Sequence, residues 1–241
     1  MVVAAIKEEA APDIEQHAQT VHWLSLGQLG KLIKTFKAEG VTQAIMAGQV
    51  KHKQIFSGVI PDFKMIQMLA SLATKNTDSL IGAVAKVLED EGIQLLDSIA
   101  FLGPLLPQAG VLTKRSPSED EKRDLDYGYR LARELGRLDV GQSIVVCDGA
   151  CVALEAMEGT DAIMERAAGL VNGRELRVVK LAKPGQDLRF DVPVIGLGTV
   201  AAMKRLKVTA LAIEAKKTLM IDREELLLQA DAAGIAIVAV E

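Results

Sequence analysis

Asp187, Arg189 and Asp191 recur at every second position in the run QDLRFDVPVIG, residues 186–196. Read as an extended strand, this run puts the three charges on one face and Leu188, Phe190 and Val192 on the other. The apolar face can pack on a core. The charged face offers hard oxygen ligands for a divalent cation, and a planar fork of donors for phosphate oxygens. A solvated strand face laced with ion pairs has the same alternation, so the spacing leaves both readings open. Glu155, Asp161, Lys180 and Lys183 add carboxylates and ammonium groups in the same half of the chain. Metal-assisted phosphoryl hydrolysis uses this inventory: a cation polarises phosphate oxygens and activates water, while Lys or Arg offsets developing charge. Spacing does not show whether these side chains converge.

Other chemistries lack their signatures. The sequence has no GxxxxGK[ST], GxSxG, HExxH or CxxC. Cys147 and Cys151 flank Asp148-Gly149-Ala150. A two-residue hairpin would turn them to opposite sides, and only a three-residue loop would pair them. His17, His22 and His52 are scattered and read as surface or packing residues. A net charge of −4 and 3% aromatic residues supply neither a basic field nor stacking platforms, so no nucleic-acid partner is expected. No apolar run approaches the roughly 18–20 residues of a spanning helix. The opening MVVAAI is too short for a signal-peptide core, so the expected compartment is the cytoplasm.

The elements that must position these residues alternate between β-branched runs and helical patterns. Val2–Ile6, Thr20–Leu24 and Val41–Met46 read as strands. Gly27–Gly40 reads as a helix with Leu29, Leu32, Ile33 and Phe36 on one face. Strand, helix and strand over Thr20–Met46 predict a βαβ unit, which would place Gly48 and Gln49 beyond a strand's carboxyl end, where ligands bind in parallel sheets. An ordinary loop is the alternative there. Phe63–Ala73 is Met-rich and apolar, suited to acyl chains or simply to a core, and a further helix spans 78–91. The segment FLGPLLPQAG (101–110) reads as a domain connection. Ser116-Pro117-Ser118-Glu119 predicts a helix start, and Lys114 and Arg115 before it make a candidate anion site. A hairpin over 143–156 follows, turning at Asp148-Gly149. Next come a helix opened by Thr160, a strand over 176–181, a short helix opened by Thr199, and strands over 208–215, 218–221 and 235–240. Asp222-Arg223-Glu224-Glu225 reads as a capping-box start. The fold class is α/β. A first domain, 1–107, is Rossmann-like with a mostly parallel sheet. A Pro/Gly-containing linker joins it to a second domain, 113–241, with a mixed sheet and helices.

The segments LGQLGKLIKTFKAEGV, MAGQV, LGRLDVGQSIVV, ALEAMEGTDAIMERA and VVKLAKPGQDLRFDVPVIGLGT resemble the LpxI-type UDP-2,3-diacylglucosamine pyrophosphatases over nearly the whole chain. The resemblance implies a cytoplasmic enzyme of lipid A biosynthesis, peripheral to the inner membrane. It would cleave the pyrophosphate of UDP-2,3-diacylglucosamine to UMP and 2,3-diacylglucosamine 1-phosphate, with Mg²⁺ or Mn²⁺. It implies two domains that clasp a lipid-linked nucleotide sugar, and a possible homodimer. The family's catalytic aspartate in FDxPxIG falls on Asp191. Asp191 and Asp187 are then the candidate metal ligands. Gly48, Gln49, Lys114, Glu155, Thr160, Asp161, Lys180, Lys183, Arg189 and Thr199 are the candidate substrate contacts. Family members usually open with a strand, a glycine-rich turn and a helix; this sequence begins at the next strand, through either a start placed late or a loss of that βα unit, and a loss would remove a phosphate-binding turn and leave a sheet edge. A non-catalytic nucleotide- or lipid-binding member, a structural interaction module, and a pyrophosphatase for another nucleotide sugar are the alternatives.

Overall fold

The computed structural model describes residues 1–48, 60–72 and 77–241. The chain divides into two compact units, Met1–Ser98 and Ile99–Glu241.

In the first unit, β1 (Val2–Ile6) lies parallel to β2 (Thr20–Leu24), with Val2 opposite Thr20 and Ile6 opposite Leu24. After α1 (Leu29–Ala38) comes β3 (Gln43–Ile45), which pairs in parallel with β4 (Gln94–Leu96) across α2 (Phe63–Ser71) and α3 (Thr77–Asp90). The predicted pairing through one βαβ unit is thus corrected: β2 and β3 belong to different two-stranded sheets. Periodicity locates strands but does not choose their partners. Leu29 and Ile33 of α1, Met68 of α2, Leu88 of α3 and Ile93 form the core. The Met-rich helix therefore fills a core through Met68, while Phe63 and Ile66 face outward at 75% and 50% exposure. Asp62 fixes two helix starts at once, accepting from Met65 N at 2.9 Å on α2 and from Gly30 N at 2.7 Å on α1. Both helices leave amino-terminal amides without intrahelical acceptors, and one carboxylate serves them.

The second unit is a three-layer α/β/α arrangement. Its sheet has six strands in the order β5-β12-β10-β8-β6-β7. These are β5 (Gly110–Val111), β6 (Ser143–Cys147), β7 (Ala150–Leu154), β8 (Leu176–Lys180), β10 (Val208–Glu214) and β12 (Ala236–Val240). β8, β10 and β12 are parallel; β6 runs antiparallel to β8, and β7 to β6. One face packs on α4 (Glu119–Arg137) through Leu125, Ala132, Ile144, Val146, Val179 and Ala212. Gly128 lets α4 approach: a Cβ there would lie 2.8 Å from Val179 Cγ2. The other face is covered by α5 (Thr160–Leu170), α6 (Leu197–Arg205) and α7 (Arg223–Ala232) through Ile163, Met203 and Leu226. A separate parallel pair, β9 (Val194–Ile195) with β11 (Leu219–Met220), follows the loop after β8.

Several local expectations shift. The α4 cap is Ser118, not Ser116, the first residue of the predicted start, and it forms the capping box with Glu121. Asp222 precedes α7 in a left-handed conformation (φ 52°) without a side-chain cap, so the predicted box is absent there. The Pro/Gly stretch is held by the second unit: Lys216 N donates to Pro107 O at 2.9 Å, and Arg223 to Pro104 O at 3.0 Å. Asp148 and Gly149 both have positive φ, which fits a two-residue hairpin turn, and the two cysteines are free thiols.

Candidate active site

Sheet pairing explains which side chains meet. Ser143 begins β6 opposite Lys180, the last residue of β8. Glu155 follows β7, and its N–H donates to Ser143 O at 2.9 Å. Alternation then places Ser143, Lys180 and Glu155 on the face covered by α5 and α6, side by side at one sheet edge. For β8 this is the carboxyl end, where ligands of open α/β sheets sit.

Glu155 is buried, at 5% exposure, and held by its surroundings. Oε2 accepts from Gln142 N at 3.3 Å, and Oε1 from Thr160 Oγ1 at 3.5 Å. Thr160 Oγ1 also shares a 2.9 Å hydrogen bond with Ser143 Oγ. Gly141 makes the turn possible, since a Cβ on it would lie 2.1 Å from Glu155 O. Thr160 opens α5, and Asp161 occupies its exposed first turn, where a carboxylate is favoured by the helix dipole.

Lys180 is the centre of the cluster. Its Nζ donates to Val194 O at 3.0 Å. Burial pushes its ammonium below the ordinary lysine range, against the opposing pull of Glu155, Asp161 and Asp191. Those opposing charges show that four of the residues singled out from the sequence converge: Lys180, Glu155, Asp161 and Asp191.

The loop bearing Asp191 is not the extended strand that its alternation predicts. Residues 188–190 form a turn in which Phe190 N and Asp191 N donate to Asp187 O at 3.2 and 3.0 Å. Asp187 drives it: Oδ1 accepts from Arg189 N at 3.1 Å, an Asx-type contact that competes with strand pairing. The fork of Arg189 then spans both Asp187 oxygens, at 2.9 Å from Nε to Oδ1 and 2.7 Å from the terminal nitrogen to Oδ2. Arg189 holds the Asp187 carboxyl below its usual range, outweighing partial burial. Extended pairing begins only at Val194.

The remaining candidates separate. Lys183 Nζ binds Asp139 Oδ1 at 2.7 Å, while its N–H is held by Gln186 Oε1 at 2.7 Å. Thr199 Oγ1 accepts from Gly196 N at 3.5 Å at the start of α6, just past β9. Lys114 lies at the opposite sheet edge, beside the amino ends of β10 and β12; its N–H donates to Asp231 Oδ1 at 2.7 Å. The adjacent Arg115 is engaged by Glu121 at 2.6 and 2.9 Å and by the carbonyls of Thr209 and Gly234. Ser118 and Glu121 cap the α4 start reciprocally. Gly48 belongs to the first unit, past β3, with φ +88°. Gln49 lies outside the described residues.

Ser143, Gly141 and Glu214 were not singled out from the sequence. A serine heading an otherwise apolar strand was the available signal for Ser143. Glu214 ends an apolar strand in the same way.

Among the described residues, no three His, Cys, Asp or Glu side chains are grouped to hold a metal. The donor chemistry still fits a hard cation of the Mg²⁺ type, which binds through one or two carboxylates plus substrate phosphates and water. Asp191 and Asp161 are the carboxylates near Lys180 that are partly or fully accessible. The first unit has a cavity of about 580 Å³ beside Lys31, Lys34, Lys37 and Lys64. Lys37 and Lys64 there both bind Glu91, at 2.5 and 2.6 Å, which offsets much of their charge.

Comparison with known proteins matches residues 1–105 to the LpxI N-terminal domain and residues 108–238 to the LpxI C-terminal domain. The UDP-2,3-diacylglucosamine pyrophosphatase LpxI of Caulobacter vibrioides is 36% identical over 228 residues, covering 90% of this chain and 81% of that protein.

Proposed function

Because the chain belongs to the LpxI family, we propose that it hydrolyses the pyrophosphate bond of UDP-2,3-diacylglucosamine to UMP and 2,3-diacylglucosamine 1-phosphate. The observation that carries this reading is the gathering of Lys180 with Glu155, Asp161 and Asp191 at the carboxyl end of β8. Pyrophosphate cleavage needs positive charge against the phosphate oxygens and an oriented water. Lys180 supplies a fixed ammonium. It donates to a carbonyl and is drawn by carboxylates without being closed into a pair by them, so it can turn a donor toward phosphate.

Asp191, with Asp161 also acting on Lys180, would hold Mg²⁺ or Mn²⁺. When bound, such a cation polarises phosphate oxygens and lowers the pKa of its water. Asp187 keeps Arg189 in a fixed orientation, so Arg189 meets a phosphate without first ordering its long side chain. Lys183 adds charge nearby on the same loop. Glu155 and Thr160 orient the edge from beneath. Gly48 and Gln49 are assigned to substrate contact from the first unit, whose parallel pairs we read as Rossmann-like.

No described helix is long and apolar enough to cross a membrane. A diacylated substrate resides in a bilayer, so the protein would work in the cytoplasm at the inner membrane surface, as a possible homodimer. The test is to incubate the purified chain with UDP-2,3-diacylglucosamine and follow UMP. Release with Mg²⁺ or Mn²⁺, and none with a chelator, is expected. No UMP with either cation would overturn the proposal.

A further inference from the structure

The loop between β8 and β9 carries Lys183, Asp187, Arg189 and Asp191, and both of its roots lead to one buried carboxylate. Glu214 ends β10 and is 4% exposed. Alternation puts it in the row of Ala210 and Ala212, on the α4 face, opposite the face of Lys180. At the entry root, Glu214 Oε2 accepts from the buried Ala182 N at 2.9 Å. On the side of the exit root, Oε1 accepts from Lys217 Nζ at 2.5 Å, in the turn between β10 and β11. Two residues beyond Lys217, Leu219 N donates to Pro193 O at 2.8 Å, and Leu219 pairs with Val194. Arg133 of α4 approaches Oε1 to 3.9 Å.

We propose that Glu214 is a positioning residue that clamps both roots of the 183–193 loop and thereby sets where Arg189 and Asp191 sit. The inference rests on the pyrophosphatase reading above. The neighbouring positions of this row are alanines in a closed apolar layer, so packing alone gives no reason for a carboxylate here. Burying one is costly unless it is paired and hydrogen-bonded; one of its bonds goes to the loop's entry root and the other to Lys217, in the turn that leads to the strand holding the exit root. Leu181 N adds a second anchor at the entry root, donating to Gln142 O at 2.9 Å. Gln142 N in turn binds Glu155, so the loop root and the Lys180 cluster share one turn.

The test compares Glu214→Ala, Glu214→Gln and Lys217→Met by hydrogen–deuterium exchange and UMP release. In Glu214→Ala, exchange over 183–193 should rise about tenfold while α5 stays protected. A displacement on the order of an ångström should then lower kcat about 100-fold. Glu214→Gln keeps an acceptor for Ala182 N and should recover most of both losses. Lys217→Met should loosen only the exit half, 190–193. A purely structural role predicts uniform loss of protection and no rescue by Gln. Unchanged exchange over 183–193 in Glu214→Ala overturns the clamp and leaves the pyrophosphatase reading intact. Raised exchange with full UMP release keeps the clamp and overturns the assignment of chemistry to this loop. If Glu214→Ala does not fold, unchanged loop exchange in both Glu214→Gln and Lys217→Met overturns the clamp.

Discussion

Arg177 and Lys180 sit near opposite ends of one strand, β8, and their surroundings differ in kind. Arg177 is 6% exposed and faces Asp124 at 3.6 Å, Asp148 at 3.8 Å and Glu175 at 3.4 Å. Asp124 also accepts from Asp148 N at 3.1 Å and Gly149 N at 2.7 Å, tying α4 to the hairpin turn. That end is an ion-paired network closed on itself, with Arg177 Nε buried and without a hydrogen-bond partner among the described residues. At the other end, Lys180 donates to a carbonyl, and Glu155, Asp161 and Asp191 act on it through space. A closed cluster holds layers together. An ammonium near carboxylates but not bonded to them is available to a phosphate. Count and type of charge are similar at the two ends, and geometry alone distinguishes them.

The largest expected effect tests the open end. Asp191→Asn should lower UMP release about 1,000-fold, while the thermal midpoint stays near that of the parent protein. Near-native turnover would remove Asp191 from the chemistry and erase the contrast. Lys180→Met should follow, with a loss of about 100-fold in kcat/KM. The pH profile sharpens the point. Burial lowers the Lys180 pKa, so its charge, and the rate that depends on it, should be lost on the alkaline side below the ordinary lysine range. Lys180→Arg, always charged, should flatten that limb. An alkaline limb identical in the two proteins would assign it to another group.

Much of this end was legible in the sequence. The strands 143–147, 176–180 and 208–214 announced themselves as apolar β-branched runs, and Thr160 marked its helix. Of the candidate residues, Glu155, Asp161 and Asp191 all act on Lys180. What failed was the reason first given for Asp191. Period-two alternation over 186–192 described a strand, but Asp187 captures the Arg189 amide and folds the segment into a turn. A side chain that competes for backbone donors defeats periodicity over so short a run. The pair Lys114 and Arg115 shows another limit of the sequence. A basic pair before a helix looks like an anion cradle, but only tertiary structure reveals that Arg115 is bound by Glu121 and two carbonyls. Glu214 and Ser143 escaped because one polar residue at a strand end carries no local signal of its partners.

The closed end should fail differently. Asp124→Ala leaves Arg177 buried with its one buried carboxylate partner gone, and frees two turn amides. A loss of about 3 kcal/mol in urea unfolding is expected, with kcat per folded molecule unchanged. If Asp124→Ala instead cut kcat while sparing stability, the two ends of β8 would be one functional unit.

The smallest effect concerns acid. Burial raises the Glu121 carboxyl, but hydrogen bonds from Arg115 and the Ser118 amide outweigh it and hold the pKa at about 2, against an ordinary 4.5. A depressed carboxylate pKa adds stability that is complete above 4.5 and is lost as pH falls toward 2. Glu121→Gln removes this term. The urea midpoints of parent and variant should therefore differ at neutral pH and converge as pH approaches the lowered value. Glu91 is also held at about 2, by hydrogen bonds from Lys37 and Lys64, but at the solvent-exposed surface of the first unit. Exposed pairs are screened and contribute little, so Glu91→Gln should shift the acid limb less than Glu121→Gln does. Equal shifts would mean that burial adds nothing to the Arg115–Glu121 pair. The amino-terminal edge of the sheet would then owe its stability to apolar packing.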